Sequence, residues 1–360
     1  MPSDTATPVL TVDLSAIVAN WRFLHARRPS GAVLKADAYG PGAARVGAAL
    51  FEAGCGHFFV ATPDEASAFR DVMPGAMLGV LGGLFRGMER DYAALDLVPC
   101  LGSIGEIEAW SGLARDLGRT LPAILHFDTG MSRLGLDARE LALLSDDHSL
   151  LRGIDIRYVM SHLVSAEVAG DALNARQRDR FNLGRTGLPP APTSLANSAG
   201  IFLDETFAFD LARPGAALYG VNPTPDQPNP MRQVAGLTAP ILAIRDIPAG
   251  ATVGYNATWT APRPSRIATV GMGYADGWHR SHSNRSVAFF DGRPVPLVGR
   301  VSMDLTTFDV TDHAGVTPAS RLELLGINRS VDDAARDAGT IGYEVLTALG
   351  RRYRRVYLSA

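Results

Sequence analysis

The sequence predicts an α/β chain: an N-terminal (β/α)8 TIM barrel followed by a mainly β domain. Three observations carry this. Between about residues 30 and 220, short apolar runs alternate with amphipathic helical segments, eight times over. The turn after the first run lacks the G-x-G-x-x-G loop that an open dinucleotide-binding sheet would want. From about residue 235, prolines, glycines and alternating β-branched residues take over. The barrel is expected over 8–228 and the second domain over 232–360, with 1–11 adding a strand to it. The Pro-rich polar stretch 224–231 is the expected linker.

The eight strand candidates lie at 32–38, 58–62, 76–83, 97–102, 123–130, 156–162, 193–200 and 209–220. Most are near-continuous apolar stretches, as in strands covered on both faces. Helix starts are readable between them. Thr62-Pro63-Asp64-Glu65 combines a capping box with a proline start. Ser103 with Glu106, and Asp137 with Glu140, repeat the spacing. After Pro41-Gly42, Val46, Ala49, Leu50 and Ala53 fall on one helical face, and Gly54 ends it. In the second domain, Ile247-Pro248-Ala249-Gly250 reads as a turn. Asp291-Gly292 between two apolar runs reads as a hairpin. One helix is expected near 341–349, closed by Gly350.

Composition sets the class. Of 360 residues, 46% are hydrophobic and 20% charged, as in a globular chain. A net charge of −3 argues against a nucleic-acid partner, which needs a basic face. No apolar run is long enough to span a membrane. The first residues lack a basic region followed by an apolar one, so a cytoplasmic location is expected. Cys55 and Cys100 lack metal-ligand spacing, and no metal is expected.

The chain holds 34 basic residues, and only Lys35 among them is lysine. A surviving surface lysine could sit anywhere polar. This one follows Ala-Val-Leu at a strand, where an unpaired ammonium costs several kcal/mol, on the order of a buried polar group's penalty. Desolvation lowers an amine's pKa, and a depressed amine is what a Schiff base requires. Arginine cannot substitute, because its guanidinium stays protonated. In a barrel, catalytic groups gather at the C-terminal strand ends. Lys35, Asp37 and Tyr39 fall at the first, Asp128 and Arg133 after the fifth, and His162 at the sixth. Asn197-Ser198 fall at the seventh and Arg213-Pro214-Gly215 near the eighth.

These blocks carry a resemblance. Val33-Leu34-Lys35-Ala36-Asp37-Ala38-Tyr39-Gly40 is similar to the pyridoxal-phosphate motif of the alanine racemases. Asp128 through Gly135, Ala196-Asn197-Ser198, Arg213 through Gly220 and Tyr255-Asn256-Ala257-Thr258 resemble further family blocks. Gly273 through Gly277, Gly299 through Asp304 and Arg355-Val356-Tyr357 complete the set, in family order.

The resemblance implies a fold-type III racemase that interconverts L- and D-alanine. Its implied cofactor is pyridoxal 5′-phosphate, held as a Schiff base on Lys35. It implies two bases, Lys35 and Tyr255, on opposite faces of Cα. Tyr255 is implied to act from the partner of a head-to-tail homodimer. A phenol with a pKa of about 10 is a poor base at neutral pH, so His162 and Arg213 are expected to depress it through a hydrogen-bonded chain. Arg213 is implied at the pyridine nitrogen, where a guanidinium keeps its proton and weakens the electron sink. Ser198, the Gly215 amide, Tyr39 and Tyr357 are implied phosphate donors, and Asn197 is expected to orient its neighbours. Arg133 is the implied carboxylate arginine. Met303 and Asp304 are implied to flank the substrate, with Tyr274 at the entrance.

The sequence departs from the family pattern in three places. Pro41 replaces a common histidine, Ser194 another, and His126 the lysine whose carbamate holds the carboxylate arginine in many members. With one lysine in the chain, a carbamate cannot coexist with the Schiff base. A chloride or another anion, or a neighbouring carboxylate, must then orient Arg133, and an ordinary packed residue is an equal reading of His126. Three other readings stand beside the alanine racemase. A racemase of broader or different specificity, such as serine, fits because the motifs leave the side-chain pocket open. A non-catalytic pyridoxal-phosphate-binding barrel would resemble only the first half. A fold-related decarboxylase would put an acid, not Arg213, at the ring nitrogen.

Overall fold

The computed structural model describes residues 7–68 and 70–359. The chain divides into two compact units. One comprises Val18–Leu218 with Asn222–Pro230; the other takes the residues up to Ile17, Tyr219–Val221 and the chain from Met231 onward.

The first described strand, β1 (Val9–Asp13), belongs to the second unit, where it pairs antiparallel with a long strand starting at Ala235 and parallel with one near the C-terminus. Helix α1 (Leu14–Arg27) follows it, an element the sequence reading did not assign. Then come the barrel strands β2 (Ala32–Val33), β3 (His57–Val60), β4 (Met77–Val80), β5 (Leu97–Leu101), β6 (Leu121–His126), β7 (Ile154–Met160) and β8 (Thr193–Ser194). They form one parallel sheet in chain order. The expected eighth strand is not a regular ladder. Segment 211–214 instead closes the ring by backbone hydrogen bonds. Leu211 N donates to Thr193 O, Ala212 N to Pro29 O, Gly31 N to Ala212 O and Val33 N to Pro214 O. Pro214 has no N–H to give, which limits the pairing there.

Strands β2, β3, β5, β6 and β7 and the closing segment send side chains inward. Val33, Phe59, Val98, Cys100, Ile124, Met160 and Leu211 form one buried cluster, the filled interior of the barrel. Gly79 on β4 makes room for it: a Cβ there would lie 2.7 Å from the Phe59 ring. Fully burying a side chain of this size stabilises by roughly 1.5–3 kcal/mol.

The helices begin where their caps predict. Thr62 accepts from the Glu65 amide at the start of α4 (Pro63–Ser67). Ser103 caps α6 (Ile104–Leu117), and Asp137 with Glu140 forms a full capping box on α7 (Ala138–Asp146). Helix α3 (Ala43–Glu52) buries Val46, Ala49 and Leu50. Between them lie α2 (Lys35–Tyr39) and α5 (Glu89–Ala94), and α8 (Ala172–Gly184) follows β7.

In the second unit, β9 (Ala235–Ile247) is the spine of an eight-stranded sheet. It pairs with β1, with β12 (Ser265–Val270) and with β16 (Arg321–Leu325). The short pair β10 (Thr252–Val253) and β11 (Trp259–Thr260) stands apart. The predicted hairpin joins β13 (Val287–Phe290) to β14 (Arg293–Pro296). Asp291 and Gly292 both have positive φ, +47° and +73°, as a type I′ turn requires. Strand β15 (Thr306–Asp309) pairs with β12, and β17 (Arg354–Leu358) edges the sheet beside β1. The expected C-terminal helix is α10 (Gly342–Ala348). A second helix, α9 (Val331–Ala338), precedes it.

Candidate active site

In the barrel unit, the residues singled out from sequence meet at the C-terminal strand ends. Strand β2 stops at Val33, shorter than the expected 32–38, and Lys35 opens a turn of unusual hand. Ala36, Asp37, Ala38 and Tyr39 have φ of +53°, +55°, +56° and +59°. Left-handed backbone costs a non-glycine residue about 1–2 kcal/mol, so the turn must be held. Ala38 N donates to Leu34 O at 2.7 Å, Ala43 N to Asp37 Oδ1 at 2.8 Å and Ala36 N to Glu65 Oε1 at 2.7 Å. The turn ends in Gly40, also left-handed.

Lys35 is half-buried, and its amine lies below the usual lysine value. Burial is the largest cause, the Arg133 guanidinium adds to it, and Glu65 opposes both. Tyr39 turns its hydroxyl toward Gly215, where a Cβ would sit 2.4 Å from Oη. Only glycine leaves that space. Ser198 Oγ accepts from the amides of Gly215 (3.0 Å) and Ala217 (3.2 Å). Asn197 donates to Leu163 O and accepts from Gly200 N, tying two strand-end loops together.

Arg213 is buried. It donates to Ser161 O at 2.6 Å and to the Ser194 hydroxyl. Burial brings its guanidinium down to about 10, so it stays charged at neutral pH. Among the described residues it makes no hydrogen bond to His162, in contrast to the hydrogen-bonded chain expected from sequence. The coupling between them is through space. Burial, then Arg213, Arg133, Lys35 and His126, push the His162 imidazole down to about 3. Burial and Arg213 take His126, at the end of β6, to about 4. Both histidines are neutral at pH 7. The loop after β6 is drawn around Asp128, whose carboxylate accepts from the amides of Gly130, Met131 and Ser132 at 2.8–3.1 Å. Arg133 emerges from that loop, exposed.

In the second unit, Tyr255 opens a single turn entered through Gly254 at φ +76° and is 66% exposed. Tyr274 and the 301–305 loop are held together. Tyr274 N donates to Ser302 O and Ala275 N to Met303 O. Gly273 permits this approach, since a Cβ would fall 2.3 Å from Ser302 O. Arg352 binds Asp304 at 2.7 Å and the buried Asp276 at 3.1 Å. Tyr357 lies half-buried on β17, opposite Val12.

Such a constellation has known counterparts. The family model for the alanine racemase N-terminal domain matches residues 12–223, and that for the C-terminal domain matches 234–357. The chain belongs to the alanine racemase family. Alanine racemase from Acidiphilium cryptum is 53% identical over 354 residues, covering 98% of this chain and 99% of that protein. Alanine racemase from Brucella abortus is 46% identical, covering 97% of this chain and 93% of that protein. The crystal structure of alanine racemase from Bartonella henselae, with covalently bound pyridoxal phosphate, superposes with a TM-score of 0.95 at 41% identity. It covers 98% of this chain and 100% of that one.

Against this family background, the structure adds residues that sequence reasoning passed over. Ser161 and Ser194 serve Arg213, and only the departure at Ser194 hinted at one of them. Gln177, fully buried on α8, donates to His162 O and Thr129 Oγ1 and accepts from Val164 N. Nothing in the local sequence marks it. Glu65 was legible only as a cap. Arg352 lies in a basic C-terminal run with no distinguishing pattern.

Proposed function

We propose that this chain interconverts L- and D-alanine with pyridoxal 5′-phosphate as cofactor. Lys35 and Tyr255 act as bases on opposite faces of the substrate. The single observation that carries the reading is Lys35 itself. The chain's one side-chain amine sits half-buried at the barrel mouth with its pKa lowered, among cations.

The residues present suit the cofactor. Lys35, Arg133 and Arg213 bring positive charge to one region, and two histidines there are kept neutral by burial and by that charge. A dianionic phosphate and a substrate carboxylate answer that charge. In the cradle of Ser198, Gly215 and Tyr39, the Ser198 hydroxyl accepts from the Gly215 amide and so can turn its own proton toward a phosphate, and glycine keeps the space open beside the Tyr39 hydroxyl. Tyr357 is assigned to the same group. When bound, pyridoxal phosphate supplies the electron sink that makes the Cα proton removable.

The remaining chemistry belongs to the chain's own groups. A lowered pKa leaves more of the Lys35 amine unprotonated near neutrality, able to take a proton and return it. Arg213 keeps its proton and would present a donor to the pyridine nitrogen of a bound cofactor, which would favour simple proton return over side reactions. Arg133 pairs with the substrate carboxylate. His162 remains neutral and relays no full charge, and Asn197 fixes the loops on which it and Ser198 stand.

Tyr255, with Tyr274, Met303 and Asp304 beside the substrate, is assigned to the partner copy of a head-to-tail homodimer. Support comes from exposure. Tyr255, Tyr274, Met303 and Leu305 are 66%, 42%, 55% and 40% exposed in one chain, large apolar side chains available to a partner. No helix among the described residues is long and apolar enough to cross a membrane. We assign the protein to the cytoplasm.

The deciding experiment is chiral chromatography after incubation of each proteinogenic amino acid with the enzyme in D₂O. Alanine should racemise fastest with one deuterium at Cα. A faster serine or broader substrate would overturn the assignment of alanine. Tyr255→Phe should slow exchange from one enantiomer far more than from the other, and a symmetric loss would overturn the two-base scheme.

A further inference from the structure

Three glutamates that cap barrel helices share a second contact. Glu65, Glu106 and Glu140 each occupy the third position of their helix. In each, one carboxylate oxygen accepts an amide at the mouth of its own helix. Glu65 takes Ala61 N at 2.7 Å, Glu106 takes Gly102 N at 2.7 Å and Glu140 takes Asp137 N at 3.2 Å. The other oxygen reaches back to the loop after the preceding strand. Glu65 takes Ala36 N at 2.7 Å, Glu106 takes Leu84 N at 2.8 Å and Glu140 takes Ile104 N at 3.0 Å. The carboxylates thus clasp β2 to β3, β4 to β5 and β5 to β6 at the end of the barrel where the candidate site lies.

Only one of the three clasps a strained segment. Leu84 and Ile104 have ordinary backbone, whereas Ala36 opens the left-handed turn. The amide that Glu65 holds is also the first after Lys35. A bidentate carboxylate therefore ties the lysine's backbone to the end of β3, across a turn that would relax if released.

We propose that Glu65 is a positioning residue for Lys35: by clasping the Ala36 amide to β3, it sets the direction in which the lysine side chain leaves the barrel wall. This rests on the assignment of Lys35 above. Glu65 also acts on the amine by charge, against Arg133, and His162 feels the amine in turn. The two roles of Glu65 oppose each other on removal. Loss of its charge lowers the amine pKa and speeds reaction below that pKa. Loss of its clasp slows reaction at every pH.

The test uses the full chain, stripped of cofactor, with pyridoxal 5′-phosphate as probe. Capture joins the Lys35 nitrogen to the aldehyde carbon and releases one water. Its rate is followed by absorbance from neutral to alkaline pH. It is compared among wild type, Glu65→Gln, Glu65→Asp, Glu106→Gln and Glu140→Gln. Glu65→Gln should move the pH midpoint down and lower the limiting alkaline rate about tenfold, the scale of a small misplacement. Glu65→Asp keeps the charge but cannot span both amides, so its limiting rate should fall with the midpoint nearly in place. Glu106→Gln and Glu140→Gln should lose thermal stability while capturing within about twofold of wild type, a difference too small for a misplaced amine. A limiting rate unchanged in either Glu65 variant overturns the proposal, even if the midpoint moves. If one variant does not fold, the other decides. Borohydride reduction and peptide mapping of the wild type separate this from the underlying assignment: a pyridoxyl group on any site but Lys35 refutes both, whereas a group on Lys35 with an unchanged Glu65 rate refutes only the clasp.

Discussion

Ser194→Ala should destabilise the barrel through Arg213. The guanidinium is buried, with two hydrogen-bond partners, Ser161 O and the Ser194 hydroxyl. Removing the hydroxyl leaves a buried cationic N–H without its acceptor, at about 1.5–3 kcal/mol for a charged group. Ser194 also donates to Leu211 O at 2.5 Å in the ring-closing segment, and that loss adds roughly 1 kcal/mol. The sum is about 2.5–4 kcal/mol, or a fall in Tm of roughly 5–15 °C for a domain of this size. Scanning calorimetry of wild type, Ser194→Ala and Ser194→Thr provides the measurement. The threonine keeps the hydroxyl and should recover most of the loss, less a small overpacking cost. A Ser194→Ala transition within about 2 °C of wild type would mean the Arg213 contact contributes little, and would refute the reasoning.

Other substitutions probe the remaining parts of the site. Gly215→Ala drives a Cβ to 2.4 Å from the Tyr39 hydroxyl and must displace that ring; overpacking of about 1–3 kcal/mol predicts cofactor affinity weaker by roughly 5- to 150-fold by equilibrium titration, and an unchanged affinity counts against the cradle. Stability should fall as pH drops below about 6.5, the ordinary histidine value. His126, His162 and His282 are held near 4, 3 and 3 when folded, so the unfolded chain binds protons that the native state refuses across that window. A Tm that stays flat from pH 7.5 to about 5 is incompatible with that proton uptake. Arg352→Ala strips the cation from Asp276, which is 2% exposed, and frees Asp304. It should raise KM more than it lowers kcat in steady-state assays, and the reverse pattern would detach Asp304 from substrate binding.

Local rules made much of this fold legible. The type I′ turn at Asp291-Gly292 and the caps at Thr62, Ser103 and Asp137 depend on neighbours in sequence, and each appears where its residues stand. The same rule would have found α9, since Ser330 and Asp333 form a capping box one residue-type removed from the Ser/Glu spacing. Barrel closure was less legible. Segment 211–214 has the right composition, but Pro214 breaks the regular ladder and leaves single hydrogen bonds in its place. The left-handed turn after Lys35 was not legible at all. Alanine, aspartate and tyrosine disfavour that region, and their conformation is imposed by groups far away in sequence. Glu65, 29 residues from Ala36, is one of them.

The electrostatics follow the same division. A sequence shows one lysine and many arginines, but not which carboxylates stand opposite them. Among the described residues, Glu65 acts on Lys35 by charge, Asp128 stands in the loop that carries Arg133, and neither forms an ion pair with a guanidinium. Asp128 is engaged by three amides of its own loop, and Glu65 by Ala36 and Ala61. Asp128 therefore cannot take the place of a carbamate in holding Arg133 without releasing the loop on which Arg133 stands. His126, neutral and buried at the position of the absent second lysine, offers no negative charge either. The positive charge of the mouth is thus left for ligands to answer. That charge adds to burial, the larger cause, in keeping the two histidines neutral. A single lysine suffices. With Arg133 and Arg213 kept as guanidinium cations, the amine of Lys35 is the base that the barrel unit brings to a reaction near pH 7.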